Sequence, residues 1–202
     1  MSRDTKPFPR ALSIWMFLAA AILIPLIAAG FSPLLAWREP VYIAAGFAGI
    51  VAMSLILIQP LLIGGYLPGF PAAKGRRVHF TIGCGLVLAV LVHVAGLWIT
   101  SPPDVIDALL FRSPTPFSAW GVIAMGCVFA AAFLATFSRR RKLVSRRWRH
   151  WHAALAAGAV LCSVVHALLI EGTMETISKA ALCTLVIVVT GKTLADRIRR
   201  RR

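Results

Sequence analysis

Four histidines lie inside the apolar part of this chain, in two pairs with the same spacing. Thirteen residues separate His79 from His93, and thirteen separate His152 from His166. An ionisable side chain within a membrane segment is costly, so such a residue commonly marks a functional site. Fourteen positions are close to four helical turns, which places the two histidines of a pair on one helix face, about 21 Å apart. Two helices with this spacing can form two stacked sites, each with one imidazole from either side.

The composition of the chain indicates a membrane protein. Of the 202 residues, 59% are hydrophobic, and the mean hydropathy is +0.81. Apolar runs of about 20 residues predict membrane-spanning helices, and short connections predict antiparallel neighbours. We expect a single all-α domain over residues 1–202. It is predicted to be a six-helix up-down bundle, with spans at approximately 11–31, 41–65, 79–99, 117–137, 150–170 and 176–195.

The distribution of basic residues predicts the orientation of the bundle. The formal net charge is +15, but no basic segment is interleaved with stacking aromatic residues, so we expect no nucleic-acid binding. Lysine and arginine concentrate in alternate loops and at both termini, which favours a cytoplasmic position for both termini. We expect an integral multi-pass protein of the bacterial inner membrane. The first apolar run is longer than the core of a usual signal peptide, so an uncleaved first helix is expected.

The topology decides which histidines can meet. One span lies between the third and the fifth, so these two spans run parallel and enter the membrane from the same side. His79 and His152 then lie at one inner depth, and His93 and His166 lie together nearer the outside. Iron bound by two histidines has no open position for substrate, which suits electron transfer. We expect His79 and His152 to bind the iron of an inner haem, and His93 and His166 to bind the iron of an outer haem.

One other interpretation of the histidines remains open. Intramembrane histidines also carry protons, so the chain could be a haem-free small transporter or a membrane scaffold with a histidine relay. A transporter of this kind favours carboxylates within the spans, whereas the acidic residues here lie in loops or near helix ends. A non-haem metal site is not expected, because histidines four turns apart on one helix cannot reach the same ion.

Basic side chains near the spans are candidate partners for haem propionates, which are negatively charged. Arg76 and Arg77 precede His79 at the predicted inner face, and Arg112 lies in an outer loop. The alternative for Arg76 and Arg77 is that they only set the topology. The arginine-rich loop 139–149 can dock a donor protein or contact anionic membrane lipid.

Several local signals predict smaller features. His150 lies on a different helix face from His152, and we expect it at the membrane interface. Ser101 can cap a short helix that starts near Pro103, the alternative being an ordinary loop. Pro60 is expected to kink or end the second span. No internal sequence repeat is apparent.

Two sequence segments and the histidine pairs resemble the ferric reductase-like transmembrane domain family. The segments are the run Trp148–Arg149–His150–Trp151–His152 at the fifth span and the stretch 111–117 before the fourth. The resemblance covers nearly the whole chain and implies a six-helix bundle with b-type haems, of which we expect two. It also implies electrons that enter from a cytoplasmic flavin and leave to an acceptor outside the membrane.

The chain departs from the larger members of that family in one respect. They continue into a domain for FAD and NAD(P)H, whereas no glycine-rich dinucleotide motif occurs in this sequence. We therefore expect no FAD or NAD(P)H site in this chain, which resembles the stand-alone membrane subunits. The expected donor is a separate cytoplasmic flavoprotein or membrane quinol. The expected external acceptor is ferric iron, oxygen or a periplasmic partner protein.

Overall fold

The computed structural model describes residues 8–141 and 145–199, and the regular elements within these ranges are helical. Six of the helices are long and apolar enough to cross a membrane, so the chain is an integral multi-pass membrane protein. A short 3-10 turn at Pro33–Leu35 follows the first helix. The helices are α1 (Phe8–Gly30), α2 (Pro40–Gly64), α3 (Ala72–Thr100), α4 (Pro102–Leu109), α5 (Pro116–Arg141), α6 (Arg146–Leu169) and α7 (Thr176–Arg199).

The six predicted spans and the all-α class are confirmed, with one large difference in length. The third span, α3, begins at Ala72, well before the expected start at residue 79. The segment 72–78 contains lysine and arginine, which lower the hydropathy but are good helix formers. His79 therefore lies about two turns inside the helix, where the backbone is fixed, and not at a frayed end.

The short helix in the loop before α5 is also confirmed, and Ser101 occupies its N-cap position, but the expected hydrogen bond from a backbone N–H to the serine side chain is not formed. The Ser101 hydroxyl donates to the Asp104 carboxylate at 2.5 Å and accepts no backbone N–H. Pro102 and Pro103 occupy the first helical positions, where a missing N–H costs nothing. Proline thus starts α4 without the side-chain cap.

Pro60 does not end α2, which continues to Gly64. A proline removes one backbone hydrogen bond of the preceding turn and leaves the following residues free to stay helical. The helix ends where Gly65 adopts φ 73°, a left-handed conformation that glycine reaches without strain. The Thr193 hydroxyl on α7 donates to the Pro60 carbonyl at 3.3 Å.

Two helical hairpins form the body of the bundle. Helix α2 packs along α3, and α5 packs along α6. Helix α7 lies against α2 and α6, while α1 lies at the periphery against α2 and α7. The backbones of α3 and α6 barely approach each other, so side chains bridge the space between the hairpins. The core lies around α2 and α7, where Leu57, Leu182 and Val186 are almost fully buried.

The bundle has two ends, which we name by the chain. The terminal end holds the start of α1 and the end of α7, and the far end holds α4. At the terminal end, the Tyr66 hydroxyl donates to the Asp196 carboxylate at 2.6 Å, and Lys192 pairs with the same carboxylate at 2.8 Å. The Arg197 guanidinium donates to the Arg149 carbonyl at 2.9 Å. These contacts tie α7 to the loop after α2 and to α6.

At the far end, polar contacts form the corner between α6 and α7. The Glu175 carboxylate accepts the backbone N–H groups of Ser178 and Ile177, both at 2.7 Å. These hydrogen bonds, first the one from Ser178, hold the pKa of Glu175 below its usual range. The buried Lys179 donates from Nζ to the Ile170 carbonyl at 2.7 Å, which satisfies the end of α6.

Replacing Tyr66 by Phe tests the contacts at the terminal end. The change removes a hydrogen bond to a carboxylate, and such a bond contributes about 1.5–3 kcal/mol. We expect Tyr66→Phe to lower the unfolding temperature in mild detergent by at least about 3 °C. Tyr42→Phe is the matched control, because Arg38 lies over the Tyr42 ring at 4.7 Å and Phe keeps that contact. Equal shifts in both variants would contradict the assignment.

Candidate functional site

Helices α3 and α6 each direct two histidines towards the other helix. The ring centres of His79 and His152 are 6.3 Å apart with an interplanar angle of 74°. Those of His93 and His166 are 6.5 Å apart at 82°. The structure therefore brings together the same partners that the topology predicts. We call His79 with His152 the terminal pair, and His93 with His166 the far pair.

Backbone carbonyl groups orient both rings of the far pair. His93 Nδ1 lies 2.7 Å from the Ala45 carbonyl oxygen on α2, and His166 Nδ1 lies 2.8 Å from the Phe117 carbonyl oxygen on α5. A carbonyl can only accept, so Nδ1 of each neutral ring carries the proton and donates. Nε2 of each ring then keeps its lone pair, which is the arrangement of a metal-binding histidine.

A glycine allows each ring of the far pair to reach its carbonyl. In an α-helix the residue four positions later bonds to the same carbonyl, so its side chain lies nearby. Here those residues are Gly49 and Gly121. A Cβ at Gly49 would lie 3.1 Å from His93 Nδ1, and one at Gly121 would lie 2.7 Å from Nδ1 and Cε1 of His166. Both contacts are too close, so the glycines make room for the rings.

The terminal pair lacks these two backbone hydrogen bonds. The carbonyl groups nearest in role are those of Gln59 and Ala131, which interact electrostatically with the rings of His79 and His152. However, the residues four positions after them both carry a Cβ. Nδ1 of His152 is buried and has no hydrogen-bond partner in the part of the chain that the structure describes. The two ends of the site therefore hold their histidines differently.

The Gln59 side chain contacts His79 from the neighbouring helix. In the orientation that satisfies its surroundings, its amide nitrogen donates to the His79 carbonyl oxygen at 3.2 Å and to His79 Nδ1. Its amide oxygen accepts the backbone N–H of Gly83 at 2.9 Å. A Cβ at Gly83 would lie 3.3 Å from the end of the Gln59 amide, so glycine leaves space for the amide.

Trp148 holds the other ring of the terminal pair. Its indole stacks on His152 with ring centres 5.4 Å apart at 12°, and its Nε1–H donates to the Leu134 carbonyl at 3.1 Å. The sequence pattern associated Trp148 with the family but did not identify it as a site residue. Its position four residues before His152 places it one turn away on the same helix face, and that signal could have identified it.

The carbonyl groups that face the histidines occupy equivalent positions in the two hairpins. The carbonyl groups that act on the histidines come from positions 45 and 59 in one hairpin and 117 and 131 in the other. At this register the sequence reads Gly-Ile-Val-Ala-Met at 49–53 and Gly-Val-Ile-Ala-Met at 121–125. The expectation of no internal repeat is wrong. Substitutions elsewhere, and a one-residue difference in the spacing between carbonyl and histidine, hide the repeat from a reading of the sequence alone.

The structure places the remaining predicted residues at the surface. Arg76 and Arg77 are exposed in the first turns of α3, and Arg112 is exposed between α4 and α5. His150 is exposed at the terminal end, with Nδ1 2.8 Å from the Arg146 carbonyl. Of the loop 139–149, residues 142–144 and the side chains of 139–141 lie outside the described residues.

The comparison with protein families decides the class of the molecule. The model of the family described as "ferric reductase like transmembrane component" matches residues 45–163, more than half of the chain. This chain belongs to that family. The match begins at the residue whose carbonyl orients His93 and includes three of the four paired histidines. No similar curated protein and no matching solved structure was found. Membership indicates a membrane component of an oxidoreductase with a role in electron transfer.

Ferric reductase-like domains commonly bind haem, and the histidine pairs fit that group. Two imidazoles that bind one metal from opposite sides have ring centres about 6 Å apart, because each metal–nitrogen bond is about 2 Å long. The observed separations of 6.3 and 6.5 Å agree with this value. Nowhere in residues 8–141 and 145–199 do three His, Cys, Asp or Glu side chains converge. Each pair would therefore offer two imidazole nitrogens to a haem iron.

Replacing Gly121 by Ala tests how the far pair is held. The new Cβ would displace the His166 ring, and overpacking of this kind costs about 1–3 kcal/mol. We expect an unfolding temperature lower by at least about 2 °C. The matched control is Gly126→Ala on the same helix, where a Cβ meets nothing within 4 Å. This control should be neutral or slightly stabilising, because alanine favours the helix. The reverse order of the two variants would contradict the geometry.

Proposed function

We propose that this chain is a b-type haem electron-transfer subunit of the membrane. It would carry electrons from a cytoplasmic donor, by way of two bis-histidine haems, to an acceptor on the outer side. The observation that carries this proposal is the pair of facing imidazoles at two depths, each pair shared between α3 and α6. The fourteen-residue spacing separates the two pairs by about 21 Å along the helices.

The four histidines would bind the iron, and neighbouring residues would hold the histidine rings in place. The far pair would hold one iron and the terminal pair the other, each through Nε2 of two rings. Each haem, when bound, would supply reversible one-electron chemistry without an open position for substrate. The carbonyl groups of Ala45 and Phe117 fix the ring orientation and the proton at Nδ1, which makes Nε2 a better donor to the metal. The stacked Trp148 restrains His152 at the other end.

The charges of the chain support an orientation with the terminal end in the cytoplasm. Arg76 and Arg77 are exposed in the first turns of α3, and both termini carry basic residues that favour the cytoplasmic side. Arg76 and Arg77 would also contact propionates at the terminal end, and Arg112 at the far end. The membrane would then be the bacterial inner membrane, with anionic lipid around the basic end.

The electron donor is proposed to be a separate cytoplasmic flavoprotein or membrane quinol. The terminal end carries a basic surface, and basic surfaces attract acidic partners. The acceptor at the far end would be ferric iron, oxygen or a periplasmic partner protein. The two b-type haems would supply the only redox groups that this proposal assigns to the chain.

The alternative of a histidine relay for protons has less support from the geometry. Two imidazoles joined by a direct hydrogen bond would have ring centres about 5 Å apart. The observed centres are 6.3 and 6.5 Å apart, and the Nδ1 atoms of the far pair bind carbonyl groups and not each other. The separations suit a metal between the rings better than a shared proton.

Single histidine variants test the assignment of ligands. His93→Ala and His166→Ala should each lose one of two haems per chain, and His79→Ala and His152→Ala should each lose the other. The measurement is haem extracted and quantified per purified chain, together with oxidised and reduced absorption spectra. The matched control is His150→Ala, because His150 is exposed and lies outside both pairs. Unchanged haem content in the four paired variants would overturn the proposal.

A further inference from the structure

The repeat between the two hairpins is broken at one polar position beside the terminal pair. Gln59 on α2 corresponds to Ala131 on α5, since each follows at the same distance in sequence the residue, Ala45 or Phe117, whose carbonyl binds a histidine of the far pair. Only Gln59 adds a side-chain amide at this register. The amide is half-buried and contacts the ring, the backbone of the same histidine and Gly83. This difference between the hairpins therefore affects His79 of the terminal pair.

The contact of Gln59 with Nδ1 couples the orientation of the amide to the nitrogen of His79 that carries the proton. When the amide nitrogen donates to Nδ1, that atom accepts, and the proton of the neutral ring resides on Nε2. A ring in this form cannot bind a metal through Nε2. Binding requires the proton to lie on Nδ1, as it does in His93 and His166, where a carbonyl accepts it.

A half-turn of the amide about its last bond serves the second form, with the proton on Nδ1, but it gives up the two backbone hydrogen bonds. The amide oxygen then faces Nδ1 and accepts its proton, while it also faces the His79 carbonyl oxygen and the amide nitrogen faces the N–H of Gly83. The ring with its proton on Nε2 is the metal-free form, and the ring with its proton on Nδ1 is the form that can bind a metal. An acceptor at Nδ1 strengthens a histidine ligand and stabilises the oxidised state of the metal that it binds.

We propose that Gln59 is a positioning residue for His79. Its amide turns with the proton of the ring and gives the haem of the terminal pair a lower reduction potential than the ring alone would give it. This inference rests on the proposed function, because it requires a haem at the terminal pair. It assigns a role to a residue that contacts a ligand and does not itself bind the metal.

Two variants of Gln59 should shift one haem in opposite directions. Gln59→Met keeps the length of the side chain but cannot accept the proton, so it should raise the potential of the terminal haem. Gln59→Glu keeps an acceptor and adds charge, so it should lower that potential. The matched control is Ser54→Ala on the same helix, because the Ser54 hydroxyl donates to the Ile50 carbonyl and not to a histidine. This control should leave both potentials unchanged.

The measurement is a spectroelectrochemical titration of the purified full-length protein, with haem quantified per chain. Repeating it in the His93→Ala background, which should keep only the terminal haem, assigns the shifted wave. Opposite shifts of that haem alone support the proposal. Shifts of both haems, shifts in the same direction, no shift, or loss of the terminal haem from both variants would overturn it. Absence of haem from the wild-type protein would instead be a failure of the proposed function.

Discussion

The far pair of the site depends on hydrogen bonds from histidine Nδ1 atoms to backbone carbonyl groups of a neighbouring helix. Within a membrane the carbonyl groups of a helix are already bonded, and a bulky side chain four positions later covers them. A glycine at that position exposes the carbonyl to a second donor. Gly49 and Gly121 do this for His93 and His166, and the rings are thereby fixed in orientation and tautomer.

The fold supplies this arrangement twice because the two hairpins have the same construction. In each hairpin one helix provides two histidines, and the other provides the carbonyl groups that act on them. The two histidine-bearing helices, α3 and α6, face each other across a space that their backbones do not close. Helix α7 packs against both hairpins and contributes much of the buried core, including Leu182 and Val186. Helix α2 serves both purposes, because it holds buried core residues such as Leu57 and also supports the histidines of α3.

The sequence predicts the coarse features of this structure well. Hydropathy identifies the six spans, and the topology pairs His79 with His152 and His93 with His166, because span order alone determines the depth of each histidine. The start of α3 was misplaced, since charged residues such as Arg76 are helical without being apolar. Boundaries set by helix propensity and capping do not follow hydropathy.

The supporting contacts were not predictable in the same way. The roles of Gly49 and Gln59 depend on which residues of α2 and α3 face each other, and interhelical register is not visible in either helix alone. The repeat becomes apparent only when those contacts are aligned. Trp148 had a local signal, its position one turn before His152, but its stacking is a tertiary contact. Sequence periodicity thus located the paired histidines, and packing explains what holds them.

The central claim is that each facing pair binds one iron through two nearly perpendicular imidazoles. Perpendicular ring planes leave two iron d orbitals close in energy, so the oxidised low-spin state has strongly anisotropic magnetism. The most direct test is the electron paramagnetic resonance spectrum of the oxidised wild-type protein, with haem quantified per chain. The interplanar angles of 74° and 82° predict highly anisotropic low-spin signals from two haems per chain. A high-spin spectrum, or a protein without haem from haem-replete cells, would contradict the account.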